Sequence, residues 1–220
     1  IKITERKRQC IKNLFRIIFG HDEFREGQEE AILRTLEGKD SVVLLPTGSG
    51  KSAIFQFLSL ILPGVGIIIE PLKSLMEDQV QNLRKRGIEM VVNLSESERR
   101  GKKEENFRLL EEGAFSLVYL TPERLQMSDF RKTLERAKEK GIGFSLIALD
   151  EAHCVSEWGH DFRVSYLNLS ETARKLLGFR EEKPRILALT GTASDLVLKD
   201  IMRELNLPED GIIQPETFES

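Results

Sequence analysis

The sequence has 220 residues, of which 40% are hydrophobic and 31% charged, with a formal net charge of −3. That composition suits one globular α/β domain with a substantial core. It excludes a global basic field, though not a local basic groove, and no apolar run approaches the ~18 residues that a membrane-spanning helix needs.

In chain order, residues 4–18 read as an amphipathic helix with Ile11, Leu14, Phe15 and Ile18 on one stripe. Helical patterns follow at 26–36, 51–62, 74–86, 97–112, 122–138, 165–177 and 194–205. Between them lie seven short runs that read as strands: 41–45, 65–69, 89–93, 115–120, 145–149, 185–189 and 211–214. These runs are nearly continuous in Val, Ile and Leu, as in strands covered on both faces. Strand and helix in rotation predict a mainly parallel sheet with helices on both faces. Ligands of such sheets bind beyond the carboxyl ends of the strands. The polar stretches 95–106 and 131–140 read as solvated helix faces. Cys10 and Cys154 form neither a metal-ligand spacing nor a disulfide framework, and Cys154 reads as a small packed side chain. Residues 1–10 are charged and polar, unlike a signal peptide. The expected setting is intracellular: cytoplasmic, nucleoid-associated or nuclear.

Two segments, each at the end of an apolar run, carry the chemistry. Residues 46–52 read Pro-Thr-Gly-Ser-Gly-Lys-Ser. Thr47, Gly48, Ser49 and Gly50 form a turn whose backbone N–H groups can wrap phosphate oxygens. Lys51 reaches β- and γ-phosphates, Ser52 offers a hydroxyl to Mg²⁺, and the helix that starts there adds its positive end. The strict pattern begins with Gly, and Leu45 stands in that place. Residues 150–153 read Asp-Glu-Ala-His. Asp150 is placed to hold Mg²⁺ and Glu151 to polarise the attacking water. Together the two segments predict binding and hydrolysis of a nucleoside triphosphate.

Smaller signals surround them. Arg25 and Gln28 precede the phosphate loop; a Gln amide matches the adenine N6/N7 edge, and Arg stacks or bonds phosphate. Residues 189–194, Leu-Thr-Gly-Thr-Ala-Ser, read either as a hydrogen-bond relay or as a capped strand-to-helix turn. Residues 154–166 hold the sole tryptophan, Trp158, with His160, Asp161, Phe162 and Arg163. Aromatic faces stack on bases, and this stretch is too polar for a good core segment.

These motifs resemble the RecQ family of superfamily 2 DNA helicases. The resemblance runs from Phe24-Arg25 and Gln28 through 46–52, the run Glu70 to Val80, Thr121-Pro122-Glu123-Arg124-Leu125 and 150–153 to 154–166 and 189–194. It implies a RecA-like P-loop lobe that uses ATP and Mg²⁺ and acts on single-stranded and duplex DNA. By the same resemblance, Arg25 and Gln28 hold adenine, and Lys51, Ser52, Asp150 and Glu151 run hydrolysis. His153, Trp158, His160, Asp161, Phe162 and Arg163 couple the nucleotide to DNA, and unwinding runs 3'–5' in repair or recombination. The whole chain, 1–220, reads as the first lobe, with 1–40 an N-terminal helical segment. A second lobe, bearing an arginine finger, is expected in a longer parent chain, and the isolated lobe is expected to be a monomer that binds ATP but hardly hydrolyses it. The alternatives are a non-motor ATP-binding or protein-docking module and an RNA helicase lobe. Departures from the family pattern include Glu70 where Ser is usual, Lys73 where Ile is frequent, Gly191 for Ala and Val164 for Pro. Glu70 is expected either to repel DNA phosphate or to pair with Lys73.

Overall fold

The computed structural model describes residues 3–95, 100–158, 164–166, 169–178 and 183–215. Strands without a polar face must be covered on both sides, and the predicted runs pair accordingly. Among the described residues they form one seven-stranded sheet: β1 (Ser41–Leu44), β2 (Val65–Ile69), β3 (Val91–Asn93), β4 (Leu117–Leu120), β5 (Phe144–Leu149), β6 (Arg185–Thr190) and β7 (Ile212–Ile213). The order across the sheet is β3-β4-β2-β5-β6-β1-β7, and each pairing is parallel.

Successive strand side chains point to opposite faces, so each strand feeds two cores. Val43, Ile68, Tyr119, Leu146 and Leu187 meet α1 (Glu5–Phe19), α2 (Gln28–Leu36), α3 (Lys51–Ile61) and α4 (Lys73–Lys85). Val42, Ile67, Val118, Ile147 and Ile186 meet α5 (Arg100–Glu111), α6 (Ser128–Glu139), α7 (Leu169–Leu177) and α8 (Asp195–Glu204). The α/β expectation therefore holds, with helices on both faces. No helix among the described residues is long and apolar enough to cross a membrane.

Two predicted helices divide. Residues 122–138 split into a 3-10 turn, Pro122–Gln126, and α6, with Met127 extended between them (φ −74, ψ 130). The stripe Phe130, Thr133, Leu134, Ala137 extrapolates back to position 126 or 127. The residues actually buried upstream are Pro122, Arg124 and Leu125. One continuous helix cannot bury both sets, so the chain changes direction. Residues 165–177 likewise separate into a 3-10 turn, Val164–Tyr166, and α7.

What positions the site is the strand order. β2, β5, β6 and β1 are consecutive neighbours, with Ile69 opposite Leu149, Leu149 opposite Ala188 and Leu44 opposite Thr190. Their carboxyl ends thus form one row, which carries Glu70, Asp150, Gly191 and the phosphate loop.

Candidate functional site

The loop after β1 is built by packing from below and bracing from the side. Leu45 is buried in the core, and a Cβ on Gly27 would lie 2.7 Å from its Cδ2. Gly27 also caps α2 at φ 76, a conformation that suits glycine. The non-glycine start of the loop is therefore accommodated by a glycine elsewhere. Gly48 and Gly50 have φ 81 and 84, and a Cβ on Gly50 would lie 2.7 Å from Gln28 Nε2. Gly50 caps α3 without any side-chain hydrogen bond, which leaves first-turn N–H groups for a ligand.

Arg25 Nη1 donates to the Gly48 carbonyl at 2.5 Å, and Gln28 Nε2 donates to the Ser49 and Gly50 carbonyls at 3.2 and 3.0 Å. Gln28 Oε1 accepts the Arg25 N–H at 2.9 Å. Both ends of the Gln28 amide are thus engaged with the chain itself. An amide has one carbonyl and one NH₂, and Gln28 uses both to hold the phosphate loop. Lys51 Nζ donates to the carbonyls of Leu45 at 3.0 Å and Pro46 at 3.3 Å. Beside the loop lies a cavity of about 230 Å³ whose walls include His21, Arg25, Gln28, Ser52, Gln56 and Gln79. Tyr119 joins α3 to α4 there, its hydroxyl bonded to Gln56 at 3.0 Å and Gln79 at 2.9 Å. Burial pushes that hydroxyl far above the usual tyrosine range.

The acidic half follows β5. Asp150 is buried; its N–H donates to the Ile69 carbonyl at 2.9 Å, and its Oδ1 accepts the Glu151 N–H at 3.0 Å. Glu151 adopts the left-handed conformation (φ 49, ψ 48). Among the described residues only it and Asn206 do so without being glycine. Such strain persists where surrounding structure imposes it, commonly at functional sites. Glu151 Oε2 lies 3.2 Å from His153 Nδ1, which is also 3.2 Å from Thr190 Oγ1. Hydrogen bonds to the Cys154 sulfur and to Glu151 raise His153 to about 10. The same His153 contact holds Glu151 below its ordinary value, hence ionised. Burial and then Glu151 push Asp150 up. Cys154 is a packed side chain, as expected.

Glu70 corrects an expectation. It is fully buried at the end of β2, while Lys73 is exposed at the start of α4. Its Oε1 accepts the Leu72 N–H at 2.9 Å, and its Oε2 is buried without a hydrogen-bond partner among the described residues. Burial, then the charge on Asp150, raise it to about 8. Glu70 is a buried acid pushed toward its neutral form beside Asp150, neither paired with Lys73 nor presented to a DNA phosphate. No local signal reveals this, because it depends on β2 lying next to β5.

Trp158 is 65% exposed, and its N–H donates to Ser156 Oγ at 3.2 Å. Its expected companions His160, Asp161, Phe162 and Arg163 lie outside the described residues. Thr47 and Lys51 approach Gly191, where a Cβ would come within 3.1 Å of Thr47 Oγ1 and 3.3 Å of Lys51 Nζ. The strand end after β6 therefore touches the phosphate loop directly.

These residues fit a polyphosphate with a hard divalent cation. Ser49 Oγ is buried without a hydrogen-bond partner among the described residues, the start of α3 is uncapped, and Lys51 bonds only carbonyls that a phosphate can replace. Ser52 and Asp150 supply the oxygen ligands that Mg²⁺ prefers.

Residues 25–201 match the DEAD/DEAH box helicase family. The chain is 41% identical over 197 residues to the ATP-dependent DNA helicase RecQ of Bacillus subtilis, covering 89% of this chain and 32% of that protein. It is 38% identical over 215 residues to the ATP-dependent DNA helicase Q-like 5 of Arabidopsis thaliana, covering 96% of this chain and 22% of that one. The chain thus spans about a third or less of the length of these relatives. Its fold matches the DUF1998 helicase MrfA bound to DNA with a TM-score of 0.72 at 18% identity, over 97% of this chain and 30% of that one. The chain belongs to the DEAD/DEAH box helicase family, and within it is similar to the RecQ DNA helicases.

Proposed function

We propose that the chain is the nucleotide-binding lobe of an ATP-driven, 3'–5' DNA-unwinding enzyme that works in repair or recombination inside the cell. The observation that carries the reading is the convergence of a braced phosphate loop and an acid pair at one sheet edge, with only β6 between the strands that carry them. In this reading Lys51 binds the β- and γ-phosphates, Ser52 and Asp150 hold Mg²⁺, and ionised Glu151 orients the attacking water. Arg25 and the cavity beside Gln28 receive the base. Bound Mg²⁺ supplies charge neutralisation between the phosphates.

Phosphoryl transfer depends on positioning and charge, and an arginine finger is typically worth ~10³–10⁵ in rate. We assign that arginine to a second RecA-like lobe of a longer parent chain, a reading supported by the greater length of the matched relatives. The 220-residue chain is then a monomer that binds Mg·ADP and Mg·ATP and turns over near background. Calorimetric titration with Mg·ADP and Mg·GDP, alongside hydrolysis assays with and without single-stranded DNA, tests this. Adenine-selective binding with negligible turnover is the expected result. Absence of nucleotide binding removes the site assignment, and rapid DNA-stimulated hydrolysis removes the single-lobe assignment.

A further inference from the structure

The last helix holds a buried acid that the nucleotide site does not use. Asp200 lies on the inner face of α8 and is 4% exposed. A buried carboxylate is tolerated only when donors satisfy it, and three do. Asp200 Oδ2 accepts the Ser156 Oγ–H at 2.8 Å and the Glu157 N–H at 3.2 Å. Its Oδ1 accepts from the Arg203 guanidinium, one helical turn further on. Ser156 Oγ in turn accepts the Trp158 N–H at 3.2 Å. A run of hydrogen bonds thus leads from α8 to the backbone of Trp158, the most exposed aromatic side chain among the described residues.

The same stretch is pinned at its other end. His153 Nδ1 meets Thr190 Oγ1 at the tip of β6, and Thr190 accepts the Leu45 N–H at 3.1 Å where the phosphate loop begins. β6 and α8 are joined through residues 191–194, and Ser194 caps α8 by accepting the Val197 N–H at 3.4 Å. Residues 153–158 are therefore held at both ends by one strand–helix unit, which itself touches the nucleotide loop.

An indole is amphipathic and gains by lying against apolar surface. Trp158 is nonetheless exposed, and the backbone beneath it is tied to Asp200. We propose that Asp200 is a positioning residue that clamps Ser156–Trp158 onto α8 and so presents the Trp158 ring as a stacking face for a base of single-stranded DNA. The identity of the ligand rests on the function proposed above; the clamp does not. Through Thr190 and Gly191 the clamp ties the orientation of that face to the nucleotide end of the sheet.

The sole tryptophan reports on it directly. The experiment measures the steady-state fluorescence anisotropy of Trp158, its response to a short oligothymidylate, and Mg·ADP affinity, for the unsubstituted chain and for Asp200→Ala, Asp200→Asn and Ser156→Ala. Asp200→Ala is expected to lower the anisotropy and to weaken the oligonucleotide response about tenfold, the order of one lost base–aromatic stack, with Mg·ADP affinity unchanged. Asp200→Asn is expected to restore both, because the amide oxygen still accepts from Ser156 and Glu157. If circular dichroism shows that Asp200→Ala does not fold, Ser156→Ala carries the test, since it removes only the hydroxyl that links Asp200 to Trp158. A folded Asp200→Ala or Ser156→Ala chain with unaltered Trp158 anisotropy and oligonucleotide response overturns the proposal. An unsubstituted chain that ignores the oligonucleotide, while anisotropy still falls in Asp200→Ala, supports the clamp and removes the DNA-binding reading.

Discussion

The two halves of the site meet one sheet edge in opposite condition. At the end of β1 the phosphate loop is braced before any ligand arrives, with Ser49 Oγ and the first-turn N–H groups of α3 left open. Lys51 bonds two carbonyls, Arg25 and Gln28 brace the turn, and its positive φ angles fall on glycines. At the ends of β5 and β2 the opposite holds. Glu70, Asp150 and Glu151 crowd together, one carboxyl is pushed toward its neutral form by its surroundings, and Glu151 is held in a left-handed conformation. A donor-rich cradle can be preorganised cheaply because backbone carbonyls stand in for phosphate oxygens. An acidic cluster has no such internal substitute and is completed only by a cation. In the proposed function, a nucleotide with its metal would exchange partners at the first half and relieve repulsion at the second.

Lys51→Ala should break the cradle most severely. Charge-assisted hydrogen bonds contribute on the order of 2–3 kcal/mol, so Mg·ADP affinity should fall roughly a hundredfold with the circular dichroism spectrum unchanged. Unchanged affinity would show that the braced loop is not the half that grips the ligand.

Glu70→Gln sharpens the acidic half. In the absence of divalent ions the folded chain holds a proton on Glu70 that the unfolded chain releases, from its ordinary 4.5 up to about 8. The folded state then binds more protons than the unfolded one, so stability declines as pH rises through that window. Gln keeps the Leu72 contact without titrating. Thermal melts should show the unsubstituted Tm falling between pH 5 and 8 more steeply than that of the variant, whereas parallel curves would place no such proton on Glu70.

A smaller effect is expected from Glu151→Asn. Asn tolerates the left-handed region better, and the partly exposed contact with His153 that it gives up contributes under ~1 kcal/mol. Relief of ~1 kcal/mol of strain should raise Tm by roughly 2–4 °C at this chain length. A lower Tm would mean that the His153 contact outweighs the backbone strain. Gly191→Ala should act least. The new methyl would press on Thr47 Oγ1 and the flexible tip of Lys51, so Mg·ADP affinity should change by no more than about threefold, under 1 kcal/mol. A large loss would show that the turn after β6 sets the position of Lys51 rather than merely touching it.

The sequence by itself determined the fold class, the strand and helix centres, the phosphate loop and the acid pair. Each is written in consecutive residues: apolar runs that need cover on both faces, helical stripes such as Ile11 to Ile18, and motifs whose spacing is their chemistry. Even Leu45, which breaks the loop pattern, was visible as a departure, but its match with Gly27 was not. Only the tertiary structure decided the order of the strands and everything that order brings into contact. Glu70 is pushed toward its neutral form because β2 lies beside β5. Gln28 becomes a loop brace across 22 residues, His153 meets Thr190 across 37, and Ser156 meets Asp200 across 44. The physical reason is common to all four. Periodicity and motif spacing report what a segment must bury or bind, whereas the partner of a buried polar group is selected by which segment the fold places opposite it.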